Sequence, residues 1–303
     1  MIPPADLFAG VELGGTKCIC VLGTGPDDIR AREQIPTTAP GETLARIEDV
    51  LTRWLTEHGR FKGLGIASFG PLELRPTAER YGHITGTPKP GWSNTDIVGR
   101  FCRRFGVPIG FNTDVNGAAM AEARWGGAKG LDNSAYVTVG TGIGVGLMVA
   151  GHPILGLGHT EVGHVRGVQM AGDDWPGHCP IHGNCIEGIA SGPAIAARTG
   201  VPAELLRADH PVWESVALAL GQLLHTLVLT TAPQRILMGG GVMQGQPNLF
   251  GRVREHLRTS LNGYVTADEL GPGLSNYVVP PGLGALAGPL GSIALAMDAA
   301  GAV

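Results

Sequence analysis

Lysine is scarce in this chain: its 303 residues include only Lys17, Lys62, Lys89 and Lys129. Lysine and arginine together number 22 against 26 acidic residues, a net charge of −4. That leaves no basic excess to drive nucleic-acid or anionic-membrane binding. Cysteine is scarce too. Five is an odd count, and with no secretion signal it argues against a disulfide framework. Residues 1–6 offer neither a basic nor an apolar leader region, so no signal peptide is expected. The uncharged stretch 270–297 is broken by Pro272, Pro280, Pro281 and Pro289. Too few apolar residues follow Pro281 for a span of ~20, so a buried strand and then a helix are expected. The reading is a cytoplasmic protein with no membrane partner.

Glycine, by contrast, is abundant at 49 residues, with 22 prolines beside it. The 43% hydrophobic content excludes disorder, and the lack of a three-residue period excludes collagen. Apolar runs predict strands at 8–13, 18–22, 63–69, 107–111, 134–139, 145–149 and 235–238. Helical spacing predicts helices at 42–58, 95–105, 115–125, 186–197, 212–230, 248–261 and 283–300. Long loops are expected at 70–93 and 152–184. The alternation implies α/β architecture. A strand–glycine turn–strand module near residue 8 recurs near 134, suggesting two similar halves with a cleft between them. Cys18, Cys20 and Cys102 are expected in the core.

Three glycine turns follow apolar strands: Gly14-Gly15-Thr16-Lys17, Gly140 to Gly144, and Gly239 to Gly241. Each is readable as a tight turn. Together they favour phosphate and nucleotide contact, because glycine lets backbone N–H groups converge on an anion. Thr16 and Thr141 can add hydroxyls, and Lys17 a charge. Neither a Walker-type loop nor a dinucleotide fingerprint matches the spacing. Asp114, at a strand's C-terminal end, suits a general base for a substrate hydroxyl, or else a helix cap. Asn112 could bind a neighbouring hydroxyl. Cys179, His182 and Cys185 form C-x2-H-x2-C. With His164 they suit a closed tetrahedral zinc site; His159 and His178 compete for the fourth place.

These motifs resemble, in order and spacing, those of ROK (repressor–ORF–kinase) family sugar kinases: Leu13-Gly-Gly-Thr-Lys17, Asn112-Thr-Asp-Val-Asn116, Val139-Gly-Thr-Gly-Ile-Gly144, Glu161-Val-Gly-His164, the Cys179–Cys185 loop, Ile186-Glu-Gly188 with Ala190-Ser-Gly192, and Gly239-Gly-Gly241. Ala67-Ser-Phe-Gly-Pro-Leu72, Tyr81-Gly-His-Ile-Thr-Gly-Thr-Pro-Lys89 and Gly177-His-Cys-Pro-Ile-His182 resemble the bacterial fructokinase branch.

The resemblance implies an actin/hexokinase-like fold of two RNase H-like α/β domains. One would cover 1–116 plus about 287–303. The other would cover 117–286, with a zinc loop inserted at about 159–187. It implies transfer of phosphate from ATP to the 6-hydroxyl of a hexose, D-fructose first, with mannose, glucose or N-acetyl-sugars as alternatives, or a non-catalytic sugar sensor. Asp114 would be the base. Asn112, Glu161, His164, Glu187, Gly70 and Pro71 would meet the sugar. Gly14, Gly15, Thr16, Lys17, Gly140, Thr141, Gly142 and Gly144 would hold phosphates. Ser191, Gly192, Gly239, Gly240 and Gly241 would flank adenosine. His164, Cys179, His182 and Cys185 would hold structural Zn2+, and Mg2+ would bridge the ATP phosphates. A homodimer is implied. Many members carry Asp where this chain has Glu12, while Glu is common in the fructokinase branch. The first phosphate loop begins at Gly14, which is expected to leave no room for a preceding DNA-binding domain.

Overall fold

The computed structural model describes residues 6–264 and 274–302. Contacts divide the chain into two compact units. One comprises Met1–Lys129, Pro153–His159 and Ala285–Val303, the other Gly130–His152 and Thr160–Gly284.

In the first unit the chain runs β1 (Phe8–Leu13), β2 (Lys17–Gly25), β3 (Asp28–Pro36), α1 (Pro40–His58) and β4 (Gly63–Ser68). A short pair, β5 (His83–Ile84) and β6 (Thr95–Asp96), precedes α2 (Val98–Phe105), β7 (Ile109–Thr113) and α3 (Asp114–Trp125). The strand order is β3-β2-β1-β4-β7. β1 and β2 are an antiparallel hairpin, while β1, β4 and β7 run parallel. α1 forms because Leu44, Ile47, Leu51 and Trp54 recur at helical spacing, and all four are buried.

The second unit repeats the pattern. β8 (Ser134–Val139) and β9 (Ile143–Val149) form the hairpin, β10 (His152–Pro153) is an edge, and a 3-10 turn covers Val162–His164. Then come α4 (Ile186–Ala190), α5 (Gly192–Thr199), α6 (Val212–Thr231), β11 (Arg235–Gly239), α7 (Gly241–Gly245), α8 (Leu249–Leu261) and β12 (Val278–Val279). The order β10-β9-β8-β11-β12 matches the first sheet strand for strand, as the recurring module implied. α6 is long and apolar enough to cross a membrane, but most of it is buried against α4 and α8 within the unit.

The chain ends with α9 (Ala287–Ala299), which belongs to the first unit. It packs on β1, β4 and α3 at close range. A Cβ at Gly65 would meet the Ser292 carbonyl oxygen at 1.8 Å, so glycine on the strand admits the helix. Gly10, Gly63 and Gly110 likewise face Ser292, Ala296 and Leu295 of this helix, at distances that leave no room for a Cβ.

Several expectations need correction. A division after residue 116 would cut α3; the first unit continues to Lys129 because α3 packs on α9. No apolar run marks strand β3, because Glu33 interrupts the inward series Ile29, Ala31 and Ile35 and the outer face is exposed. The helix expected at 186–197 is two helices, separated at Ser191, which caps the second. Cys102 is exposed on α2, unlike buried Cys18 and Cys20: Phe101, not Cys102, faces the core. Residues 1–5 of the leader reading and 270–273 of the apolar stretch lie outside the described residues.

Candidate active site

The first glycine turn, Gly14 to Lys17, joins β1 to β2 in the first unit. Just before it, Glu12 is largely buried. Burial pushes its carboxyl up to about 7, and the nearby Asp114 charge adds to this, against the opposing pull of Lys17 and Arg32. Glu12 also lies against the first turn of α9: a Cβ at Gly288 would meet its Oε1 at 2.2 Å. In the sequence Glu12 stands out only as a departure from the family pattern. Its pairing with Asp114 is a tertiary fact, because their strands β1 and β7 are separated by β4.

Asp114 is the first residue of α3, at the C-terminal end of β7. The helix cap is not Asp114 but Thr113, whose hydroxyl accepts the Asn116 N–H at 3.1 Å. Asp114 Oδ1 accepts the Val115 N–H at 2.9 Å, which fixes the carboxylate at the helix start. Asn112 Oδ1 accepts from the Thr113 N–H and from Asn116 Nδ2, both at 2.9 Å. Its carbonyl end is therefore held inward, and its amide nitrogen is the end suited to donate.

Gly70 and Pro71 open the long segment after β4. Pro71 O accepts both the N–H and the hydroxyl of Thr85, at 2.8 and 3.1 Å. His159 Nε2 accepts the Leu72 N–H at 2.9 Å, so this histidine serves the Gly70 segment and not the Cys/His cluster.

In the second unit, Cys179, Cys185, His164 and His182 converge, with ligand atoms all within 4.8 Å of one another. His164 Nδ1 is 3.7 Å from Cys179 Sγ and 3.6 Å from Cys185 Sγ, and His182 Nδ1 is 3.9 Å from Cys179 Sγ. A tetrahedral zinc with bonds of about 2.3 Å to sulfur and 2.0–2.1 Å to nitrogen would separate its S and N ligands by about 3.6 Å. The cluster therefore fits the metal. Both cysteines are buried, and burial pushes the Cys185 thiol up to about 11, a cost that a bound cation would offset. His178 is not part of the cluster; its N–H donates to Gly188 O. The loop is tethered by Arg198 of α5, which grips Asp173 with two hydrogen bonds of 2.9 and 3.0 Å.

Glu187, on α4, reaches the second glycine turn. Its Oε2 accepts the Ile143 N–H at 3.0 Å and lies 2.8 Å from where a Gly142 Cβ would be. Its other oxygen is 4.0 Å from His164 Nδ1. Glu161 is exposed, 3.9 Å from His164 Nε2.

Beside that turn is a cavity of about 490 Å³, in the range of small-molecule pockets. Gly140, Thr141, Gly192, Gly241, Val242 and Gln246 contribute to its wall. The remaining glycines of these turns are placed by their immediate neighbours. Gly144 pairs with Thr138 in the hairpin, Gly239 ends β11 against Tyr136 and Pro281, and Gly240 turns the chain into α7. Ser191 caps α5.

The chain is 42% identical to a fructokinase of Zymomonas mobilis over 301 residues, covering 97% of each chain. It is 40% identical to a fructokinase of Pediococcus pentosaceus, covering 97% of this chain and 98% of that one. A ROK hexokinase structure from Thermus thermophilus superposes with a TM-score of 0.79 at 25% identity, over 98% of this chain and 100% of that one. That likeness bears out the expected actin/hexokinase-like class. The ROK family model matches residues 8–299. With both duplicated sheets inside that match, the chain belongs to the ROK family.

Proposed function

We propose that this protein is a fructokinase, transferring the γ-phosphoryl group of ATP to the 6-hydroxyl of D-fructose. The observation that carries the choice of sugar is the near-full-length identity of 40% and 42% with two fructokinases.

An alcohol is a weak nucleophile until its proton has an acceptor. In this reading Asp114 accepts the proton of the fructose 6-hydroxyl. The O6–Pγ bond forms as the bond from Pγ to the bridging oxygen of ADP breaks. The Val115 N–H holds Asp114 in place, and Asn112 offers its amide to a neighbouring hydroxyl. Glu161, His164 and Glu187 hold other sugar hydroxyls, with Gly70 and Pro71 shaping the pocket. The two glycine turns, with Thr16, Lys17 and Thr141, offer donors to phosphate oxygens. The 490 Å³ cavity takes the adenosine.

Glu12 and Asp114 are hard oxygen donors whose mutual repulsion a divalent cation would relieve, which fits Mg2+. Bound with ATP, Mg2+ supplies neutralisation of the phosphate charge. Cys179, Cys185, His164 and His182 would hold structural zinc, ordering the loop that carries His164. The family resemblance further supports a homodimer working in the cytoplasm.

The test is ADP release with a panel of hexoses. Fructose is expected to give the highest kcat/KM, with mannose next. Clear preference for glucose or an N-acetyl-sugar would overturn the assignment of fructose.

A further inference from the structure

The Gly14–Lys17 turn owes its shape to residues far from it in sequence. Gly14 O accepts the Thr37 hydroxyl at 2.7 Å, and Thr16 O accepts the Thr37 N–H at 3.0 Å. Between them, Gly15 O accepts the ammonium of Lys89. In a planar trans peptide the carbonyl and the following N–H point to opposite sides. Holding three successive carbonyls therefore fixes the N–H groups of Gly15, Thr16 and Lys17. A Cβ at Gly14 would meet Lys17 O at 2.6 Å, so that end of the turn is closely packed. Gly15 has open space around its Cβ position, so no packing there restrains the middle peptide. Its restraint is the charged bond from Lys89.

Both clamps are themselves seated. Thr37 Oγ1 is 3.2 Å from buried Cys18 Sγ. Lys89 O accepts the Trp92 N–H at 3.2 Å. The Trp92 indole is fully buried, donates to Thr38 O at 2.9 Å and meets Phe69 edge-on at 5.2 Å. Lys89 thus extends from the 70–93 segment to the glycine turn.

We propose that Thr37 and Lys89 are positioning residues of the phosphoryl-donor site. They hold three N–H groups as one array for the phosphate oxygens of a nucleotide, and Lys89 makes that array depend on the segment that shapes the sugar pocket. The proposal rests on the fructokinase reading. It follows that fructose and nucleotide bind with positive coupling, and that the coupling runs through Lys89.

The experiment measures initial rates over ATP and fructose concentrations, and ADP affinity with and without fructose, on the full chain. Lys89→Ala is expected to lower kcat/KM for ATP roughly 10-fold or more, the scale of one charged hydrogen bond. It should leave the fructose dissociation constant extrapolated to zero ATP within about twofold, and abolish both the tightening of ADP by fructose and the reciprocal tightening of fructose by nucleotide. Lys89→Arg should restore most of each. Thr37→Val, which keeps the backbone donor, should lose about fivefold in kcat/KM for ATP, with Thr37→Ser near wild type.

Wild-type ATP kinetics and coupling in Lys89→Ala would overturn the proposal. So would a loss confined to the fructose KM, which would make Lys89 a sugar ligand. If Lys89→Ala melts early, the Thr37→Val and Thr37→Ser pair decides: equal kinetics in the two would sink the proposal. If the wild-type protein fails to phosphorylate fructose, the functional reading fails, while ADP affinity in Lys89→Ala still tests the clamp.

Discussion

Glu187 Oε2 accepts the backbone N–H of Ile143 at 3.0 Å, tying helix α4 to the glycine turn of the second unit. Its other carboxylate oxygen stands 4.0 Å from His164 Nδ1, an atom of the Cys/His cluster. Disturbance of the cluster should therefore reach the turn.

Metal removal tests that link. Elemental analysis should find one zinc per chain, and Cys185→Ser should lose it. Chelation should lower the melting temperature by roughly 5–10 °C, as for a loss of a few kcal/mol in a unit of this size. ATP affinity should fall with it. Zinc-free protein with full stability and activity would remove the metal assignment.

Asp114→Asn tests the base. The amide keeps an oxygen for the Val115 N–H, so the start of α3 should survive. The variant loses the proton acceptor, and kcat should fall by about 10²–10⁴. Undiminished turnover would strip Asp114 of that role.

Glu12 gives a pH dependence with a definite sign. Its carboxyl is raised from 4.5 to about 7 in the folded protein. Between those values the folded chain holds a proton that the unfolded chain has released. The group's favourable contribution is thus complete below pH 4.5 and is lost as pH rises towards 7. The window corresponds to about 3 kcal/mol. From pH 5 to pH 7.5, urea titrations should show the stability of Glu12→Gln rising relative to wild type by about 2.5 kcal/mol. Parallel behaviour of the two proteins would refute it.

Two neighbouring glycines separate folding from binding. Gly240 has φ +90°, and a Cβ there would meet Val139 O at 2.4 Å. Gly240→Ala should cost about 1–3 kcal/mol of backbone strain, with further loss from the clash, and should weaken ATP binding. Gly241 has open space around its Cβ position and lines the cavity. Gly241→Ala should raise the KM for ATP while the melting temperature stays within about 2 °C. Equal melting losses in both would contradict this reading.

What the amino-acid order determined by itself is local. Apolar runs ending in glycine specified the strand–turn–strand modules and their recurrence, which became two sheets of the same order. The spacing of Cys179, His182 and Cys185 specified a ligand set, because residues three apart in a tight loop can face one ion. Tertiary structure decided whatever needed distant segments to meet. It brought His164 to Cys179, His182 and Cys185 and gave His159 to Leu72, a partner 87 residues away. It moved the cap of α3 to Thr113, turned Cys102 outward and set Glu12 beside Asp114. It also laid Lys89 on Gly15, 74 residues upstream. Periodicity reports which face of its own element a residue occupies; it carries no register between elements. Strand order and helix packing supply that register, and only then do the carboxylates, thiols and clamps acquire their partners.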